Sequence, residues 1–189
     1  MFTALTSAAG REPYSITVAT SFEARTAAVI GDPLAALRAA ERGIAADPQF
    51  SFVSLGTYLR LARLWGRALT GLDPAGAALE ADRLIRTNLA SPVRTCVSTW
   101  LALLAEMHLA AGSLDAASEA LGSAVDALER YGQRSAEGLI ILVGAELEHA
   151  AGDTDAAVRE AERARTLSVE REAHLFARRA QRLLTSLRT

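Results

Sequence analysis

The chain has 189 residues, half of them apolar, with alanine and leucine abundant and aromatics scarce. That is enough for one sizeable core or a short repeat array. It is far from the composition of disordered chains and favours helix over strand. A net charge of −2, with acids and bases interspersed, excludes the domain-wide positive field by which proteins hold nucleic acid.

Every basic residue is arginine, which together with the alanine content fits the codon usage of a GC-rich bacterial genome. Cys96 is alone, so neither an intramolecular disulfide nor a cysteine metal cluster can form. A reducing cytoplasm is the expected compartment. The start, Met1-Phe2-Thr3-Ala4-Leu5-Thr6, lacks the basic and apolar regions of a signal peptide. The most apolar stretch, Leu139 to Val143, is followed at once by Glu146 and Glu148, so no membrane span is expected.

Hydrophobic spacing predicts nine helices, near 14–30, 33–46, 51–70, 74–90, 92–111, 114–131, 134–151, 154–168 and 171–187. Between them, four turns recur: Gly31-Asp32-Pro33, Gly71-Leu72-Asp73-Pro74, Gly112-Ser113-Leu114-Asp115 and Gly152-Asp153-Thr154-Asp155. Their glycines stand 40, 41 and 40 residues apart, a period that signals stacked helical repeats. Glycine ends one helix in the left-handed conformation. Asp32 and Asp73 can cap the next, with Pro33 and Pro74 at its first position; Ser91-Pro92 repeats the device. The segment from Ala35 to Arg42 is echoed from Ala156 to Arg163, three periods on.

Within the helices, Leu114, Ala117, Leu121, Ala124, Val125 and Leu128 form one apolar stripe. In the last segment Phe176, Ala180, Leu183, Leu184 and Leu187 form another, with Arg178, Arg179 and Arg182 expected outside. The last helix reads as a cap over the fourth pair. Residues 1–13 are expected to be a flexible N-terminus and 14–189 one domain.

Small residues at the expected crossings (Ala24, Ala36, Ala40, Ala105, Ala117 and Ala124), with Leu101, Leu104, His108 and Leu121 beside them and Asp47-Pro48 ending the first pair, resemble the tetratricopeptide repeat. The period is longer than the usual ~34 residues. The stretch from Leu101 to Gly112 also resembles the C-terminal helical repeats of LuxR-type transcriptional regulators and cyclase-linked signalling ATPases of bacteria. The resemblance implies an all-α, right-handed superhelix of about four helix pairs plus a C-terminal capping helix. It also implies a sensor or partner-binding role in transcription regulation or signalling.

Chemistry is sparse. Glu146 and His149 have the E-x-x-H spacing of carboxylate di-iron sites, but His108 and His174 are preceded by Ala105 and Arg171, so no second half exists and no metal or cofactor is expected. No local signature of nucleophilic catalysis surrounds Cys96 or any serine; the chain reads as a binding module rather than an enzyme. Arg60, Arg63 and Arg67 share one stripe, with Gly66 at a close-packing position beside Trp65. Mapping the repeats onto one another places Arg25, Arg60, Arg63, Arg67, Glu106, Glu146 and His149 along a concave side, read either as an ordinary solvated helix face or as a groove basic in its N-terminal half and acidic in its C-terminal half. The expected ligand is a protein or peptide segment, with no direct nucleic acid and no membrane. A small-molecule receptor and a self-associating homo-oligomeric module are the alternatives.

Overall fold

A computed structural model describes residues 12–89 and 95–188. These residues form nine α-helices, one 3₁₀ turn and no strand. The helices are α1 Pro13–Ile30, α2 Pro33–Ala46, α3 Val53–Leu69, α4 Pro74–Leu89, α5 Val97–Ala110, α6 Leu114–Tyr131, α7 Glu137–Ala150, α8 Thr154–Glu170 and α9 His174–Leu187, with the 3₁₀ turn Arg134–Ala136 leading into α7. None of them is long and apolar enough to cross a membrane. The chain divides into two compact units, residues 1–84 and 85–189, with the boundary inside α4.

The turn chemistry works as the sequence predicts. Gly31, Gly71, Gly112 and Gly152 all have positive φ, between 72° and 93°, where a Cβ would be strained. After three of them an aspartate caps the following helix. The Ala35 N–H donates to Asp32 Oδ1 at 2.9 Å, Gly76 to Asp73 Oδ1 at 3.1 Å and Ala156 to Asp153 Oδ1 at 2.8 Å. Each such cap is worth about 1 kcal/mol against alanine. The device expected at Ser91-Pro92 lies outside the described residues.

In the first unit α1, α2 and α3 pack against one another, and the contact is made by small residues: Ala24, Ala28, Ala36, Ala40 and Ala62 are fully buried. Buried Thr17, Thr20 and Ser21 of α1 stay satisfied by donating back to Pro13 O, Ile16 O and Val18 O. Gly66 lies against α2, where a Cβ would meet the Pro33 carbonyl oxygen at 2.8 Å, and Trp65 beside it is 1% exposed. The spacing predicts a close crossing at Gly66, and the helix it meets there is α2.

In the second unit α5 packs on α6 and α7, α7 on α6 and α8, and α9 on both α7 and α8. The last helix therefore docks as a cap. Ala180 and Leu184 join Ile141, Leu142, Ala145, Ala161 and Ala164, with Val158, Leu167 and Leu183 packed around them. Arg188 to Glu162 at 2.7 Å ties α9 to α8, and Arg171 to Glu137 at 2.7 Å ties the turn before α9 to the start of α7.

Several expectations shift. Four helices start later than their spacing suggests: α3 at Val53, α5 at Val97, α7 at Glu137 behind its 3₁₀ turn, and α9 at His174. Cys96 and Glu172 have left-handed backbone (φ 58° and 56°), which cannot be accommodated inside a right-handed helix, and the Asp47 carboxylate holds the Ser51 and Phe52 N–H groups in the turn ahead of α3. In α6 the buried stripe is centred on Ala117, Ala120, Ala124 and Ala127, while Leu114 and Val125 lie at its exposed edges. Close crossing selects the alanines, and the larger side chains flank the contact. Arg179, expected outside, is buried.

Candidate functional site

Of the seven residues expected to line a groove, Arg25, Arg60, Arg63 and Arg67 belong to the first unit and Glu106, Glu146 and His149 to the second. Arg60, Arg63 and Arg67 share α3 while Arg25 lies on α1, and Glu106 and Glu146 meet at Arg179 without His149.

One arrangement is built on α3. Val53, Thr57, Arg60, Arg63 and Arg67 follow one another at spacings of four, three, three and four, so they share one helix face. None of the five is buried, whereas Leu59, Leu61, Ala62, Leu64 and Trp65 on the remaining faces are. The helix contains three arginines and no acid. Arg60 reaches Glu80 at 3.7 Å and Arg67 reaches Asp73 at 3.8 Å, pairings that run seven residues up α3 and seven down α4 and so define an antiparallel hairpin. Both are long, half-exposed ion pairs of the kind that contribute well under 1 kcal/mol. Arg63 is half-buried, and its Nε lies inside without a hydrogen-bond partner. Arg25 is on α1, its guanidinium stacked 5.0 Å above the Phe22 ring.

The turn before α3 is held by Asp47. Its carboxylate accepts from the Phe52 N–H and the Ser51 N–H, both at 3.0 Å, and the Phe52 bond foremost keeps the carboxyl below its ordinary range. The turn fixes Phe50 and Phe52. Phe50 carries Arg60 over its ring at 5.6 Å, and Phe52 meets Tyr14 of α1 edge to face at 5.0 Å.

The second arrangement is a charged cluster in the second unit. Glu106 of α5 is 2% exposed and pairs with Arg179 of α9; the same guanidinium nitrogen lies 3.4 Å from Glu146 Oε1 of α7. Burial, and secondarily the charge of Arg182, lowers the Arg179 pKa to about 10, leaving it charged at neutral pH. Burial raises Glu146 to about 7. Glu106 is therefore an interior residue, while His149, one turn beyond Glu146, is exposed. Sequence reasoning missed Arg179 as the hub, although it stands three residues after Phe176 and four before Leu183, within the apolar stripe itself. It also missed Gln133, whose side-chain oxygen accepts from both Ser98 N–H at 3.0 Å and Ser98 Oγ–H at 2.8 Å and so caps the first turn of α5 from 35 residues away. No local signal announces such a contact.

Among the described residues no three His, Cys, Asp or Glu side chains gather where they could hold a metal ion. Cys96 is half-buried at the N-cap of α5. No protein-family model, curated protein or solved structure matches the chain.

Proposed function

We propose that the chain is a protein-binding helical-repeat module of the tetratricopeptide type, its hairpins wound as a right-handed superhelix, that docks an acidic peptide segment within a bacterial transcription or signalling regulator. The reading is supported by a 40-residue period that coincides with left-handed glycines, aspartate caps and alanine crossings. One observation carries the ligand class. The open face of α3 holds Arg60, Arg63 and Arg67, with no acid anywhere on that helix. Guanidinium forks bind carboxylates in pairs of parallel hydrogen bonds, and the two long pairs to Glu80 and Asp73 are weak competitors.

The test is a fluorescence titration of the full chain with a labelled glutamate-rich peptide. Binding should weaken as salt rises, because half-exposed charges are screened. It should disappear in Arg60→Glu/Arg67→Glu and fall in Arg63→Gln, while the melting temperature stays nearly constant. Peptide binding indifferent to these substitutions would sink the proposal. A small molecule retained by the chain in native mass spectrometry, and lost in the same variants, would replace it with the receptor reading.

A further inference from the structure

The stripe on α3 does not end at its arginines. Toward the N-terminus of the helix it continues into an apolar surface: Val53 is 72% exposed and Tyr14 52% exposed, with Phe52 half-buried between α1 and α3. Five of the ten aromatic residues in the chain (Tyr14, Phe22, Phe50, Phe52 and Tyr58) fall on α1, the α2–α3 turn or the first turns of α3. Aromatic and arginine side chains together are the composition that concentrates binding energy at protein interfaces.

The turn that carries Phe50 and Phe52 is tied down on several sides. Phe50 has φ 53°, a conformation disfavoured for a bulky side chain that persists only where its surroundings hold it. Here the Asp47 carboxylate clamps the two following N–H groups. Gly56 leaves room for the ring, since a Cβ there would come within 2.6 Å of Phe50 Cδ1. Arg60 in turn lies over that ring, so the aromatic turn orients the first arginine of the stripe. Side chains that are already ordered lose little entropy when a partner arrives.

We infer that this aromatic turn is an anchor site for the acidic segment, so that the partner docks by an apolar side chain against Tyr14, Phe52 and Val53 and by following or preceding carboxylates on Arg60, Arg63 and Arg67. The inference rests on the acidic-peptide reading above and adds to it a position and a length. Val53 and Arg67 are fourteen residues apart on one helix face, a span of about 21 Å at 1.5 Å per residue. An extended peptide covers that distance in about six residues. The segment recognised therefore holds an aromatic or branched apolar residue within about six residues of two or three acids.

A random dodecapeptide library displayed on phage and selected on the full chain tests this, with enriched sequences resynthesised and titrated by fluorescence anisotropy. Enriched peptides should combine an apolar anchor with two or more acids at that spacing. Their affinity should fall at least tenfold in Tyr14→Ser/Val53→Ser, both exposed positions, and independently at least tenfold in Arg60→Glu/Arg67→Glu, with the helical circular dichroism unchanged in each. Acidic peptides that carry no anchor and ignore Tyr14→Ser/Val53→Ser would overturn the anchor while leaving acidic docking intact. No enrichment, or enriched peptides indifferent to the arginine reversals, would overturn both. Binding to phosphatidylcholine–phosphatidylserine vesicles that is lost in Tyr14→Ser/Val53→Ser, with no peptide enriched, would assign the surface to a lipid headgroup layer instead.

Discussion

Arg179 and Glu106 form an ion pair inside a largely apolar interior, joining the last helix α9 to α5, with Glu146 of α7 beside the same guanidinium. Removing two charges from water is costly, and their attraction repays it only with good geometry. Such a pair contributes little net stability against an apolar replacement, but it strongly penalises any state in which one partner is buried alone. One guanidinium also faces two carboxylates, with the charge of Arg182 close enough to act on it.

Breaking the pair from one side should be worse than removing it. Glu106→Leu leaves the Arg179 guanidinium buried without its main counter-ion, and a loss of about 3–5 kcal/mol is expected. Adding Arg179→Met to Glu106→Leu should recover most of that loss, since the site then becomes apolar throughout. Urea unfolding of the two variants measures both values. Equal destabilisation in the single and double variants would mean the cluster acts only through packing volume.

Glu146 gives stability a dependence on pH. Its pKa is raised by burial from the ordinary 4.5 to about 7, so the folded state retains a proton that the unfolded chain releases. The stabilisation from that proton is fully present below about pH 4.5 and is lost as pH rises through 7. It amounts to a few kcal/mol at most, on the order of 1.4 kcal/mol per pKa unit. The urea midpoint should therefore fall between pH 5 and 8, and Glu146→Gln, which cannot ionise, should flatten that slope and be the more stable form at pH 8. An unchanged slope in Glu146→Gln would remove this residue as its source.

Deleting residues 171–189 should damage the second unit beyond the loss of one helix. The cut uncovers Ile141, Leu142, Ala145, Ala161 and Ala164 and leaves Glu106 without Arg179. Nearest-neighbour stacking then predicts a lower melting temperature and aggregation. A shortened chain that remains monomeric in light scattering with unchanged melting would show that α9 contributes nothing to the unit.

How much of this was legible in the sequence follows from how local each determinant is. Helix ends set by glycine, aspartate and proline depend on three or four neighbouring residues, so α2 over 33–46 and α6 over 114–131 agree with their spacing to the residue. The late starts of α5 and α9 depend on left-handed Cys96 and Glu172, which no composition rule assigns to those residue types, and that of α3 on the Asp47 carboxylate holding the Ser51 and Phe52 N–H groups. The arginine stripe was legible because it lies on a single helix. The pairing of Arg179 with Glu106 joins residues 73 positions apart, and a charged residue between two apolar stripe positions reads locally as an outer-face arginine. Only packing decides otherwise.

Two glycines of comparable sequence setting should respond to alanine with opposite sign. Gly66 of α3 and Gly122 of α6 both sit inside helices, where alanine is intrinsically favoured by about 1 kcal/mol. At Gly122 a Cβ would meet nothing within 4 Å, so Gly122→Ala should realise that gain and raise the melting temperature by a few degrees. At Gly66 a Cβ would lie 2.6 Å from Leu37 Cγ and 2.8 Å from the Pro33 carbonyl oxygen. The leucine can turn aside, but the carbonyl belongs to the first turn of α2 and cannot, so α3 must move away from α2. Overpacking of that kind costs about 1–3 kcal/mol, which exceeds the helical gain. Gly66→Ala should therefore lower the urea midpoint while Gly122→Ala raises it. A stabilised Gly66→Ala protein would mean that α2 and α3 approach less closely than their alanine and glycine contacts require.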